Sequence, residues 1–200
     1  MGRFLLILLS SSIALWAGNI TINNNGATVG IQENTGSSSV RRATGQTFIV
    51  PTPTSESQLT EFTLEFGGAP SGFDCRVYIY EWDGVDRPTG AALFDSGAIQ
   101  VNAAGNLNFS GLMINLTPGT PYLVMITTQG VSNDANNGAI LMTNNGNVYT
   151  DGSNWGLTST SATETHLSEA WAEVAANAFD MDFLATFGMV PVELQSFSVE

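Results

Sequence analysis

The stretch FDCRVYIYEWDGVDRPTG, residues 73–90, combines a β-strand pattern, an aromatic cluster, the only cysteine and a turn signature. Successive side chains of a strand point to opposite faces, so this strand has an aliphatic face and an aromatic face. The two faces carry Cys75, Val77 and Ile79 on one side and Tyr78, Tyr80 and Trp82 on the other. Because both faces are apolar, we expect the central strand of a sandwich, with Trp82 at its end beside the turn and best placed to reach a ligand.

Further strand patterns flank this stretch and are separated by turns rich in glycine, asparagine and proline. The clearest are QTFIV, LTEFTLEF, ALFDSGAIQV, NLNFSGLMINL, YLVMIT, AILMT and FDMDFLATF, with short strands near 20–22, 28–31 and 148–150. About eight strands with at most one short helix, near 166–176, predict an all-β, two-sheet antiparallel β-sandwich with a jelly-roll-like topology. An immunoglobulin-like sandwich is the alternative, although the chain lacks the cysteine pair found in many such domains.

The chain divides into four segments. In residues 1–18, one arginine precedes the apolar run FLLILLSSSIALWA and small residues follow it, a pattern typical of a signal peptide. Residues 19–45 form a polar N-terminal segment, 46–188 the β-sandwich domain, and 189–200 a C-terminal linker or last strand. We therefore expect a secreted or cell-surface protein with no membrane span in its mature form.

The charge is strongly unbalanced. The chain of 200 residues has five arginines and no lysine against 18 acidic residues, which gives a formal net charge of −13. Nucleic acids and anionic membranes bind clustered positive charge, so neither is an expected partner. Cys75 has no partner within the chain, and we expect a buried thiol, with an intermolecular disulfide as the alternative.

The sequence contains no catalytic signature of the common hydrolases or nucleotide-binding enzymes. GxSxG, HExxH, a P-loop and a cysteine–histidine cluster are all missing, and His166 is the only histidine. Glycosidase chemistry needs two carboxylates, which the composition supplies without locating them. We therefore expect a protein that is not an enzyme, and a glycan-active hydrolase remains an alternative.

Two kinds of binding site are indicated. Sugar rings pack their C–H faces on aromatic side chains, so Tyr78, Tyr80 and Trp82, together with Trp155 in a loop, predict a polysaccharide-binding platform if they face solvent. Calcium prefers carboxylate and carbonyl oxygens. Its candidate ligands are Asp180 and Asp182 in FDMD, which we expect to point away from the phenylalanine face, and the loop residues Asp134 and Asp151; solvated carboxylates are the alternative.

A structural role is the other functional class that the sequence leaves open. In that case the polar N-terminal strand or the VELQSFSV segment would pair with a neighbouring copy through open sheet edges. Size-exclusion chromatography separates the two classes, because assembly depends on concentration.

The order of QTFIVP, VYIYEWDG, PTGAALFDSG, LTPGTPYLVMIT, NNGN and DFLATFG resembles the β-sandwich domains of bacterial surface proteins with PEP-CTERM-type or related choice-of-anchor sorting tails. The resemblance covers roughly residues 46–188. The final segment, MVPVELQSFSVE, resembles the linker before such a sorting signal, although neither a hydrophobic span nor a basic cluster follows it here. The resemblance implies a surface-displayed or extracellular-matrix domain, and it carries over no catalytic residues.

Overall fold

The computed structural model describes residues 20–23, 29–33, 36–37, 40–52, 55–68, 73–131, 139–145, 149–161, 163–174 and 179–189. The predicted signal peptide and the VELQSFSV segment lie outside the described residues. Within the described part, the regular elements are all β-strands, and no helix there is long and apolar enough to cross a membrane. The predicted all-β class is confirmed.

The described residues form fifteen strands. In chain order they are β1 (Ile20–Asn23), β2 (Val29–Glu33), β3 (Gly36–Ser37), β4 (Val40–Ile49), β5 (Glu56–Gly68), β6 (Phe73–Trp82), β7 (Pro88–Asp95), β8 (Ile99–Val101), β9 (Gly105–Asn115), β10 (Pro121–Thr127), β11 (Ala139–Asn145), β12 (Asn154–Ser159), β13 (Ala172–Glu173), β14 (Phe179–Met181) and β15 (Phe183–Met189).

The strands make two antiparallel sheets. The first sheet has the order β1-β15-β5-β11-β14, with β9 paired to β5 and β2 paired to β11. The second sheet has the order β13-β12-β4-β10-β6-β7, with β3 paired to β4 and β8 paired to β6. Strands β4, β5 and β6 alternate between the sheets, as do β9 to β12, which is the jelly-roll-like character predicted from the sequence.

The main core lies between the two sheets. It is built from the inward residues of alternating strands, among them Phe62 and Phe183, whose stacked rings lie 5.8 Å apart between centroids. Cys75 is fully buried here beside Val77, and burial raises the pKa of its thiol to about 12. The predicted buried thiol is confirmed.

Strand β6 is an interior strand of the second sheet, next to the edge strand β7, and both of its faces are buried as expected. It pairs with β10 on one side and β7 on the other, and β10 is itself buried along nearly its whole length between β4 and β6. Because β10 is covered on both faces, its sequence is a continuous apolar run, YLVMIT, rather than an alternating one.

The short strands predicted near 20–22 and 28–31 are present as β1 and β2, which pair with β15 and β11, so part of the polar 19–45 segment belongs to the first sheet. At most one short helix is expected near 166–176, and the segment contains a single turn followed by β13. Two segments differ from the sequence prediction. Strand β12 occupies a stretch whose composition indicates a loop, whereas Tyr149 and Thr150, predicted to end a short strand, form a turn region.

Candidate functional site

The aromatic face of β6 is covered, not exposed. Tyr78, Tyr80 and Trp82 are only 3%, 4% and 6% exposed. They belong to a second apolar cluster on the outer face of the second sheet, with Ala43, Leu123, Met125, Leu157 and Trp171, and with Trp155 packed against it. The prediction that these three residues form an open binding platform if they face solvent is therefore wrong, because another part of the chain folds over them.

Residues 163–171, the cover segment, lie over this aromatic face. The segment contains one helical turn, in which the amides of Ser168 and Glu169 donate to the carbonyl of Thr165 at 2.9 and 3.0 Å. Thr165 is fixed to the second sheet by Gln129, whose side-chain amide donates to the Thr165 hydroxyl at 2.9 Å and accepts from the Thr165 amide at 3.2 Å. These bonds satisfy polar groups that would otherwise be buried without partners.

His166 is the side chain through which the cover segment contacts the aromatic face. Its Nε2 lies 2.9 Å from the hydroxyl oxygen of Tyr80, and its ring centroid lies 5.2 Å from that of Tyr78. Its Nδ1 is buried without a hydrogen-bond partner among the described residues. Burial lowers the pKa of His166, because desolvation disfavours the imidazolium.

Arg76 binds the N-terminal end of the cover segment through Glu164. Its guanidinium donates to Glu164 Oε1 at 2.6 Å and to Asp95 Oδ2 at 2.5 Å, and it lies 5.0 Å from the ring centroid of Tyr78. The Tyr78 hydroxyl also donates to Glu164, and burial together with this bond raises the pKa of Tyr78. The charges of Arg76, Asp95 and Glu164 thus pair with one another, which indicates a structural role for these three residues.

Trp155 differs from the other three predicted aromatic residues because its side chain is half-buried. Its ring centroid lies 4.7 Å from that of Trp82, although β12 and β6 are separated by β4 and β10. Trp171 packs edge-to-face with Trp82, with 6.3 Å between the ring centroids. The indole Nε1 of Trp155 is buried and has no hydrogen-bond partner among the described residues.

Gly45 on β4 lies beside Trp155 and is closely approached by β10. Its register partners are Trp155 of β12 on one side and Met125 of β10 on the other. A Cβ atom added to Gly45 would lie 2.5 Å from the carbonyl oxygen of Val124 and 2.8 Å from a methyl group of Leu123. The close approach of β10 at this position therefore requires glycine.

A cleft of about 260 Å³, the β12 cleft, lies between β12 and the residues around β13. It is lined by residues 156–158 of β12, residues 172–174 around β13, and Ala43. Trp155 precedes this stretch of β12 and is the register partner of Glu173. The lining of the cleft thus includes the half-buried Glu173 and the exposed Thr158, and Trp155 adjoins it through Gly156.

A second cleft of about 260 Å³ lies at the end of the sandwich, against Phe66 and residues 100–107. Its rim carries the amide side chains of Gln100 and Asn106, and Gln100 donates to Asp74 at 2.9 Å. Phe66 is almost fully buried, so this cleft offers no aromatic face to a sugar ring.

The three predicted calcium ligands that the structure describes do not form a group able to hold a metal ion. Asp180 is buried between the sheets, where its Oδ1 accepts from Gln46 Nε2 at 3.1 Å and its Oδ2 from the amide of Tyr149 at 2.8 Å. Asp182 is buried as well, next to Glu65, whose pKa is raised by burial and then by the Asp182 carboxylate. Asp151 is exposed, and Asp134 lies outside the described residues.

From the sequence, Asp180 is expected to point away from the phenylalanine face, but its side chain is buried between the sheets. Met181 belongs to the main core, and Gln46 Oε1 accepts from its amide at 2.9 Å. The chain leaves strand geometry at Asp182, between β14 and β15, so residues of both parities become buried. Within the described residues, no group of three or more histidine, cysteine or acidic side chains is arranged to hold a metal ion.

Comparison with known proteins supports the fold. No family model and no curated protein matches the sequence. The fold is similar to a crystal structure of the cysteine protease and lectin-like domains of Cwp84, a surface layer associated protein of Clostridium difficile, with a TM-score of 0.56 and 13% identity over 86% of this chain and 36% of that one. It is also similar to clostridial cysteine protease Cwp84 after propeptide cleavage, with a TM-score of 0.55, 13% identity and coverage of 86% and 40%. The chain thus spans well under half the length of both structures, and at this identity the similarity shows an antiparallel β-sandwich fold.

Proposed function

We propose that the protein is a non-enzymatic, secreted or cell-surface module that binds glycans at the β12 cleft. The observation that carries this proposal is the position of Trp155, a half-buried indole beside a cleft of about 260 Å³. The signal-peptide pattern in residues 1–18 agrees with a location outside the cell. The structures with a similar fold come from a surface-layer-associated protein with a lectin-like domain, which agrees with the same role.

The physical basis is a rigid aromatic surface. Trp155 is held against Trp82, which Trp171 supports in turn, so little side-chain freedom is lost when a ligand binds. The flat faces of indole rings attract the C–H faces of sugars. The cleft is smaller than the roughly 300–1,000 Å³ of typical small-molecule pockets, so we expect it to take only a small part of a longer polymer.

A catalytic role for the only histidine is disfavoured by its position. His166 is buried under the cover segment, and its Nε2 contacts Tyr80. A general base has to reach the proton that it abstracts, within hydrogen-bond distance or through one water. We therefore assign His166 to the attachment of the cover segment.

The test is retention of the protein on a panel of insoluble and soluble glycans that includes glucans, chitin and bacterial exopolysaccharide. We expect at least one glycan to retain the protein, and Trp155→Ala to weaken that binding roughly tenfold, equivalent to about 1.4 kcal/mol. Trp155→Phe keeps an aromatic ring and should retain part of the affinity, which separates a lost contact from a lost fold.

Two control variants locate the site. Met113 is 79% exposed on β9 of the first sheet, so Met113→Ala should bind as the wild type does. Asn106→Ala alters the rim of the cleft at the end of the sandwich and should also bind normally. Absence of binding to every glycan would refute the proposal, and loss of binding in Asn106→Ala but not in Trp155→Ala would assign the site to the other cleft.

A further inference from the structure

We infer, on the basis of the proposed function, that the sugar bound at the β12 cleft carries a protonated amine, which Glu173 pairs with while Trp155 contacts the sugar ring. The ligand class is then an amino sugar with a free amine, such as the glucosamine units of a deacetylated polysaccharide.

The first step of the argument is the strand register. Trp155 and Glu173 are direct partners in the antiparallel pair of β12 and β13. Side chains at directly opposed positions lie on the same face of a sheet, with Cβ atoms about 4.5–5.5 Å apart. The two side chains therefore start from neighbouring positions on one face: Glu173 lines the cleft, and the indole of Trp155 extends from the edge of the cleft toward Trp82.

The second step is the chemistry of this pair. An ammonium group is attracted both to a carboxylate and to the face of an aromatic ring, and tryptophan is the strongest of the aromatic partners. Glu173 is half-buried, so its attraction for a cation is screened less than that of a fully exposed carboxylate. A neutral sugar would use the ring alone, whereas an amino sugar uses both groups.

The third step concerns the charges near the cleft. Glu173 is the only charged side chain among the described residues that line the cleft. The two described arginine side chains are already paired, Arg76 with Asp95 and Glu164, and Arg87 with Asp86. With a formal net charge of −13, the protein attracts cations and repels uronic or sulfated polymers.

The experiment compares three matched oligosaccharides by calorimetry at about 0.15 M salt, where exposed charges more than about 8 Å apart are largely screened. The oligosaccharides are glucosamine oligomers, their N-acetylated counterparts and glucose oligomers of the same length. We expect the free-amine oligomer to bind at least about tenfold more tightly than the other two.

Variants test the carboxylate. Glu173→Gln should reduce the affinity for the free-amine oligomer to that for the N-acetylated one and leave the other two affinities unchanged. Glu81 is exposed on β6, so Glu81→Gln removes the same charge elsewhere and should leave the preference intact. Equal losses in both variants would mean attraction to overall charge and would overturn the inference.

Other outcomes separate this inference from the proposed function. Equal, Trp155-dependent affinities for all three oligosaccharides would overturn the amine preference and leave glycan binding in place. No binding of any of the three oligosaccharides would overturn this inference, whereas the proposed function fails only if the whole glycan panel is not bound. The backbone register places Arg42 opposite Thr158. Preferential binding of an anionic polysaccharide, abolished by Arg42→Gln, would contradict the inference that the cleft selects a cationic sugar.

Discussion

The hydroxyl oxygen of Tyr80 lies 2.9 Å from Nε2 of His166, and this contact attaches the cover segment to a central strand of the second sheet. It explains why the aromatic residues of β6 are buried although they lie on the outer face of a sheet. Burial raises the pKa of Tyr80 to about 12 and lowers that of His166, so both side chains are neutral near pH 7. A neutral hydroxyl–imidazole pair avoids the cost of burying a charge.

The first prediction concerns the pH dependence of stability. Because burial lowers the pKa of His166 in the folded state, the unfolded chain binds the proton more readily, with a pKa of about 6.5. The contribution of His166 to the free energy of unfolding is therefore complete above about pH 6.5. It is lost as the pH falls from about 6.5 toward the pKa of the folded state. Urea unfolding between pH 7.5 and 5 should show this loss, and His166→Gln should flatten it. An unchanged slope in the variant would contradict the burial of a neutral imidazole.

The second prediction concerns Asp180, which joins the two sheets through Gln46. Asp180→Ala leaves the amide of Tyr149 without its partner, and we expect a loss of about 1–3 kcal/mol. For a protein of this size that corresponds to a fall in Tm of roughly 2–12 °C, measured by calorimetry. Asp151 is exposed, so Asp151→Ala should leave the Tm nearly unchanged.

A calcium titration of the same proteins tests the metal prediction made from the sequence. Both carboxylate oxygens of Asp180 already accept hydrogen bonds, so added calcium should not raise the Tm of the wild type. A rise in Tm that Asp180→Ala abolishes would show that Asp180 is a calcium ligand after all.

The third prediction concerns Cys75. Its thiol is fully buried with a pKa of about 12, and thiolate is the reactive form. A thiol reagent should therefore leave Cys75 unmodified in the folded protein and react stoichiometrically in denaturant. Rapid labelling under native conditions, or a covalent dimer on a non-reducing gel, would support an exposed cysteine and an intermolecular disulfide.

The fourth prediction concerns oligomeric state. Strand β9 pairs with β5 alone among the described residues, but its pairing shifts register between Leu59 and Glu61, around Gly111, which has a φ of 70°. Bulges of this kind distort a sheet edge and disfavour the addition of another strand. Light scattering after size-exclusion chromatography should show a monomer at all concentrations. A concentration-dependent polymer would instead favour the structural role through strand edges.

Local pattern was sufficient to predict much of the fold. The alternation of Phe62 and Leu64 with charged or hydroxyl residues predicts a half-covered strand, and β5 has that form. The unbroken run of β10 predicts a strand covered on both faces, which is its position in the second sheet. These features depend on residues close in sequence, where strand periodicity is a direct consequence of backbone geometry.

The site was harder to predict because it depends on contacts between distant residues. His166 and Tyr80 are 86 residues apart, and no local pattern shows that one covers the other. Strand β12 was missed because serine, threonine, asparagine and glycine dominate its surroundings, although Trp155 and Leu157 alternate with Gly156 and Thr158. That short alternation is the signal that could have located the strand and, with it, the cleft.

The most direct test of the central proposal, glycan binding at the β12 cleft, is the response of the indole N–H signals of the ¹⁵N-labelled protein to a retained glycan, followed by NMR. Trp155→Phe assigns the Trp155 signal. Trp171 serves as the internal reference, because its indole N–H donates to the carbonyl of His166 at 2.9 Å under the cover segment. We expect the Trp155 signal to shift saturably while that of Trp171 stays in place. Saturable binding that leaves the Trp155 signal unmoved would contradict the proposed site.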